Sequence, residues 1–589
     1  MSRKTSFRTA APPAPQQSAQ APRDAAPVSS AAASVSSAAA PLAPKPAARP
    51  FPGSALAQAL FGIDLRSLAF FRIALALSLL ADLFMRCVDI EAFYTDGGIL
   101  PRGAALQSQW GFSHYFSFHA LTGTAQGEGF LFGVNAVFLM LLLAGWNTRA
   151  MTVVCWVFLI SLQSRNPLVL QGGDVLLRCL TFWAIFLPLG SYLSLDAQKQ
   201  RLPRLPGDPA HPVLAFSWGT VAALLQVVFV YWFTALLKTD ASWWNTGYAV
   251  HLALSVDMLT KPLGRYIVQF PIVTYLLTYA TVLIEGFGPF GAFVPFKNGP
   301  VRTATVFLFW FFHLIALQSM MYLGPFPWTC SLGWILFLPP WFWDTLAARW
   351  VRLLPAGART KLAAWAARHL PRVAPDAPAD TLRLPLWANL AAGFYLTVVT
   401  VWNVRSVYLG AVLPYFPFSW NAVAEVPHLD QSWDMFSPKP TTDAGWYVIA
   451  GHLRDGSTVD LMPYLGEYGD NTPLTDAKPA EIGTQFRDER WRKYFLNIWP
   501  NNNARFRRYL ADYLTRRWNR EHHGGRDLCW FEIIYMKMDT PDHYLAIPKA
   551  APFVIYRHWC YPEFAPKGEA ATSMMPLSAP GKAAAPQHP

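Results

Sequence analysis

Between two polar ends, the chain alternates long apolar runs with short polar connections. About nine runs approach membrane length: Leu65–Phe84, Gly129–Trp146, Arg149–Ser164, Asp174–Leu193, Leu214–Leu237, Tyr266–Phe287, Thr303–Leu323, Trp328–Trp343 and Pro385–Asn403. A helix crossing a bilayer core needs roughly 20 apolar residues. The third and eighth runs are short. Gly324, Pro325 and Pro327 break the eighth from the seventh, so it also reads as a re-entrant segment. Any single run could be a buried helix of a soluble protein, but nine in series predict an α-helical polytopic membrane protein.

The pattern changes beyond Arg405. Gly445–Met462, "GWYVIAGHLRDGSTVDLM", alternates like two strands joined at Asp455-Gly456, a strong hairpin signal. Trp491 to about His522 has helical periodicity with basic and aromatic residues interleaved, and Trp530–Thr540 reads as a further strand. These elements predict a soluble, β-rich α+β domain over 406–565, following a transmembrane domain over 54–405. Residues 1–53 are rich in Ala, Pro and Ser and lack the apolar stretch of a signal peptide. They are expected to be disordered, as is the low-complexity segment 566–589. No internal repeat is visible.

Composition agrees with a membrane protein. Hydrophobic residues make up 53% of the 589 and charged residues only 14%, against about 25% charged in soluble domains. The mean hydropathy of +0.22 is modest, because the tails and the C-terminal domain dilute the apolar spans. The net charge of +12 gathers beside those spans, which favours cytoplasmic loops over nucleic-acid binding. The tail to Pro50 has six basic residues against Asp24 alone; Arg149, then Lys199, Arg201 and Arg204, then Lys297 and Arg302, then Arg349 to Arg383 follow the second, fourth, sixth and eighth spans. Nine spans place all of these on the N-terminal side. The expected location is therefore the inner (plasma) membrane, with a cytoplasmic N-terminus and an extracytoplasmic C-terminal domain. Thr345–Arg383 reads either as a basic amphipathic helix on the inner membrane surface or as a solvated linker. The six cysteines include no C-x-x-C pair, so no zinc site or redox dithiol is expected. Cys529 and Cys560 could pair in an oxidising compartment, but the sequence does not assign the bond.

Ionisable residues inside apolar spans are costly and mark candidate sites. Arg72 and Asp82 share a face of the first span but lie ten residues apart, too far to touch, so each needs a partner from another helix. Gly172 and Gly173 precede Asp174, which sits near a helix N-terminus where the dipole favours an anion. Arg178, one turn on, can pair with Asp174 as a staple, or the two can grip an anionic ligand. Lys238 ends the fifth span just before Asp240, Trp243 and Trp244. It reads as a desolvated base or as an anchor reaching to the membrane interface. Glu285 and His313 lie in spans six and seven, where a buried His is a structural hydrogen-bonder or a proton-handling group. No P-loop, dinucleotide fingerprint, HExxH helix or nucleophile elbow is present.

Several of these segments, in order, resemble the HTTM (horizontally transferred transmembrane) family, best known for the vitamin K-dependent gamma-carboxylases. They are "FRIALALSLLADL" in span one, "DGGILPR" (Asp96–Arg102), "GGDVLLR" (Gly172–Arg178), "FLPLGSYLSLD" (Phe186–Asp196), "ALLKTDASW" (Ala235–Trp243), "FFHLIALQSMMYLGPFPW" (Phe311–Trp328) and "QSWDMFSPKP" (Gln431–Pro440). The resemblance implies that Lys238 deprotonates a vitamin K-type hydroquinone, which reacts with oxygen to give a strong base for carboxylating a glutamate. His313 would be a pocket or conformational group. Where the carboxylases carry Asn-His-Ser, this chain has roughly Gly172, Gly173 and Asp174, and no propeptide-binding portion is seen.

Three functions fit the sequence. The first is a gamma-carboxylase-like enzyme using a reduced quinone at the outer membrane face, with an exported peptide or protein as substrate. The second is a non-catalytic scaffold binding lipid or quinone. The third is a transporter. Arg72, Asp82, Asp174, Arg178, Asp240, Trp243 and Glu285 complete the pocket candidates around Lys238 and His313. No metal and no nucleic-acid partner are expected.

Overall fold

A computed structural model of the chain describes residues 55–108, 116–199, 201–203, 214–369, 372–374, 384–412, 415–466, 472–541, 549–566 and 572–573. The expected disorder of 1–53 lies outside these residues, as does that of almost all of 566–589.

The apolar runs form helices, but not all of membrane length. Six are long and apolar enough to cross a bilayer. They are α1 (Leu65–Val88), α2 (Ala125–Ala144), α5 (Trp218–Leu237), α6 (Pro271–Phe287, continued by tight turns to Phe293), α7 (Asn298–Trp310, continued through a π-turn to Met320) and α9 (Leu386–Val407). The other three expected spans fall short. In α3 (Thr148–Arg165) Arg149, Thr152, Ser161, Gln163 and Arg165 dilute the apolar character. The 13 residues of α4 (Gly172–Ala184) rise only about 20 Å, with Pro188 just beyond. The helix α8 (Phe326–Trp334) runs on to Phe337 and stops before Pro339 and Pro340. Each of the nine expected runs thus contains a helix, and among the described residues six helices have the length and apolarity of a span.

Hydrogen bonds sort the connections into two ends. At one end Ile63 N–H donates to Ala215 O (3.0 Å), Arg66 meets Asp344 (2.6 Å), Arg302 donates to Leu60 O (3.1 Å) and Thr148 N–H donates to Asp196 (2.8 Å). Arg201–Pro203 also pairs in parallel with Arg372–Ala374 there. Beyond Ala347 the chain forms a helix, Ala356–His369, whose side chains through Trp365 are exposed.

At the other end sits the C-terminal domain. Its five-stranded antiparallel sheet has the order β2-β1-β3-β4-β5, with β1 Trp446–Leu453, β2 Thr458–Asp460, β3 Leu528–Lys537, β4 Ala551–Trp559 and β5 Thr572–Ser573. The hairpin turns at Gly456, whose φ of 84° suits glycine. The helical stretch expected from Trp491 to His522 divides at Pro500 into α10 (Glu489–Ile498) and α11 (Arg507–Glu521), since proline cannot donate within a helix. Cys529 and Cys560 are unbonded thiols on facing strand ends, where Cys560 N–H donates to Cys529 O (2.8 Å).

The domain clasps the bundle through α10. Arg487 reaches Asp89 (3.0 Å), Asn497 donates to Leu168 O (2.7 Å) and Arg492 donates to Met258 O (3.0 Å) and to Tyr322 O. Asp89 lies just beyond α1. Burial, together with the neighbouring Asp488 carboxylate, pushes its acid group up to about 7. A carboxyl raised in the folded state favours folding below its unfolded pKa, and that contribution is lost as pH rises through the folded value. Asp89→Asn is therefore expected to gain stability relative to wild type between about pH 4 and pH 7. Parallel melting midpoints for the two proteins over that range would assign the titration elsewhere.

Candidate functional site

The charged candidates separate into two buried groups at the same end of the bundle. In the first, Asp82 and Asp174 come together around two arginines. Arg86 Nε donates to Asp82 (2.8 Å) and Arg86 Nη2 to Asp174 (2.6 Å). Arg490, from α10, inserts between them, reaching Asp174 at 3.1 Å and also Asp82. Tyr94 Oη accepts from Arg86 (2.8 Å). All four ionic side chains are buried, and two positive charges face two negative ones.

This arrangement corrects the expected Asp174–Arg178 staple. Asp174 does cap α4, accepting from Gln171 N–H (2.9 Å). Arg178 turns away to Asp430 (2.8 Å) and to His428 O (2.9 Å). A single turn of helix permits the local pair, but Arg86 of α1 and Arg490 of the docked domain together satisfy the Asp174 carboxylate and leave Arg178 for the chain entering that domain. Arg72 stands apart at the opposite end of the bundle. It donates to Leu189 O (3.3 Å) and Leu193 O (2.5 Å), so its role is to tie down a loop.

The second group lines a cavity of about 440 Å³, within the roughly 300–1,000 Å³ of small-molecule sites. Here α5 ends at Lys238, whose Nζ lies 2.7 Å from Glu285 Oε2 of α6 and 4.8 Å from the centre of the Trp243 ring. Lys238 is 2% exposed, which is incompatible with an anchor reaching into the interface. Two turns earlier on α5, Tyr231 Oη accepts from Trp334 Nε1 (2.8 Å) and stands 2.8 Å from His313 Nε2. The Tyr231 hydroxyl also contacts the Cys330 thiol, and the second ring nitrogen of His313, Nδ1, faces away from it. That Nδ1 has no partner among the described residues. Asp240 does not line the cavity. It caps the short helix Ala241–Trp244 by accepting from Ser242 N–H (2.8 Å), and this turn sets Trp243 against Lys238.

The "QSWDMF" segment forms the inner wall. Gln431 Oε1 accepts from Gln226 Nε2 (2.7 Å) and Trp433 Nε1 (2.9 Å), while Trp183 Nε1 donates to Gln226 (3.0 Å). These bonds thread the segment into the bundle and bring Met435 and Phe436 to the cavity. Helix α10 adds Glu489, Lys493 and Leu496.

No family model, curated protein or solved structure matches the chain. The site therefore stands on its own geometry.

Lys238, Glu285, His313 and Trp243 are brought together; Asp82 and Asp174 join a different cluster; Arg72, Arg178 and Asp240 hold loops and chain ends. Tyr231 and Lys493 were not singled out from the sequence. Tyr231 lies seven residues before Lys238, two helical turns on one face, which was a readable signal. Lys493 sits in a basic helix of a soluble-looking domain, and its sequence does not mark it as a cavity residue.

The glycine pair has a steric explanation. A Cβ at Gly173 would lie 2.9 Å from Phe326 Cα and 3.0 Å from its N, whereas at Gly172 the nearest atoms are 3.5–3.6 Å away. Gly173→Ala is expected to cost about 1–3 kcal/mol through backbone displacement, and Gly172→Ala much less. Equal melting midpoints for the two variants would refute this account.

Proposed function

We propose that the chain is a membrane-embedded, gamma-carboxylase-like enzyme of the HTTM type, acting with a reduced vitamin K-type quinone. The observation that carries this reading is the buried Lys238–Glu285 pair in a largely apolar cavity beside the membrane-facing surface. The residues present suit a quinol. Apolar walls accept a ring and isoprenoid chain, and Lys238, Glu285 and His313 supply polar contacts at one end. When bound, such a quinol would supply a phenolic hydroxyl and two electrons. With the pair's own proton held on Glu285 across their 2.7 Å contact, the Lys238 amine is neutral and takes the hydroxyl proton, while His313 orients the ring oxygen through Nδ1. Trp243 and the "QSWDMF" wall exclude water, which strengthens each polar contact.

The charge pattern supports an inner-membrane location with the N-terminus cytoplasmic. The C-terminal domain and the Lys238 end of the cavity then face outward, where an exported peptide or protein substrate could reach them. Mass spectrometry of lipids that co-purify with the protein tests the proposal. A bound isoprenoid quinone, absent from Lys238→Ala, is the expected result, and phospholipid alone would overturn it.

A further inference from the structure

The cavity has a second polar end with no assigned task. Lys493 lines it from α10 and makes no hydrogen bond or ion pair among the described residues. Gln171, at the start of α4, lines it too, and its Nε2 is buried without a partner. Nearby acids are engaged elsewhere. Glu489 is bound to Arg492, Asp174 to Arg86 and Arg490, and Glu285 to Lys238. Asp434 is the carboxylate that most offsets the burial of Lys493, yet it makes no ion pair with it and is solvent-exposed. Burial pushes the Lys493 ammonium below its ordinary value, as expected for a desolvated cation that no carboxylate contacts directly. Two donors, one of them cationic, thus line the cavity beside a Glu489 carboxylate that Arg492 already neutralises. Buried polar groups in folded proteins are normally satisfied.

The wall between the two polar ends is apolar and reaches the outer surface of the bundle. Phe311 lines the cavity while 59% exposed, and Leu277 and Ile284 of α6 line it beside exposed Leu276 and Leu283. These residues belong to α6 and the π-turn of α7, both on helices of membrane length, so the natural supply of this wall is the lipid phase.

We infer that the second substrate or effector of this cavity is an anionic amphiphile drawn from the membrane, its carboxylate or phosphate held by Lys493 and Gln171 and its chain in the apolar wall. The inference shares with the proposed function the premise that this cavity binds ligand, but it does not require Lys238 to act as a base.

The test measures binding of oleate, of lysophosphatidate and of uncharged monoolein to the full chain in a neutral detergent, with butyrate and inorganic phosphate as soluble anions. Oleate and lysophosphatidate should bind at least tenfold more tightly than monoolein. Lys493→Met should remove that preference, Lys493→Arg should keep it within threefold, and Gln171→Leu should weaken it. Lys238→Met should lose bound quinone yet retain oleate, which separates failure of this inference from failure of the quinol reading. Oleate binding equally well to wild type and Lys493→Met, or monoolein matching oleate, would overturn the anion site. Butyrate or phosphate binding as tightly as oleate would overturn the membrane source.

Discussion

Arg490→Met is expected to destabilise the protein by about 3–5 kcal/mol, the range for removing one member of a buried ionic group. Arg490 reaches Asp82 and Asp174 together. Without it, two buried carboxylates share Arg86 alone and one negative charge is uncompensated. The loss should appear first as detachment of the C-terminal domain, because α10 carries this arginine into the bundle. Protease cleavage beyond Arg405 should precede unfolding of the helices. Adding Asp82→Asn restores charge balance and should recover more than half of the loss, a coupling readable in a double-mutant cycle. Arg490→Lys should rescue poorly, since an ammonium lacks the planar fork that bridges two carboxylates. An unchanged melting midpoint for Arg490→Met, or no rescue by Asp82→Asn, would show that the cluster does not hold the domain in place. The same α10 roofs the cavity with Glu489 and Lys493, so its detachment should also lower ligand affinity.

This cluster marks where the sequence stops being readable. The elements were legible from local pattern. Each apolar run is a helix, Asp455-Gly456 is a hairpin turn, and Asp174 caps α4. Lengths were less legible, because Pro188, Pro339 and Pro500 stop helices that hydrophobicity alone would extend. Strand β4 was missed, since Pro552 near its start and Arg557, His558 and Cys560 near its end blur the alternation. Partners were the least legible. Arg178 lies one turn from Asp174, yet the partners that win are Arg86 of α1 and Arg490, the latter 316 residues away in sequence. Spacing predicts which groups can meet along one helix, whereas burial of a whole charged set is decided by docking between distant segments. Lys238 and Glu285 were each noticed as costly polar groups in apolar surroundings, but their 2.7 Å contact depends on how α5 and α6 pack.

That contact allows stability and chemistry to be separated. Lys238→Met and Glu285→Gln each strand one half of a buried pair, and each is expected to cost about 3–5 kcal/mol. The double variant should cost less than either single variant, because it removes both charges at once and leaves no buried charge unpaired. Catalysis should not follow that pattern. If Lys238 takes the quinol proton, oxygen-dependent oxidation of a vitamin K-type hydroquinone falls about 10²–10⁴-fold in Lys238→Met and stays low in the better-folded double variant. Lys238→Arg supplies the decisive comparison. Arginine keeps the positive charge beside Glu285 but does not give up a proton under working conditions. A scaffold that needs only charge would tolerate it, while an enzyme that needs a base would bind quinone and fail to turn over. Turnover within threefold of wild type in Lys238→Arg would remove Lys238 from the chemistry and leave the cavity as a binding site.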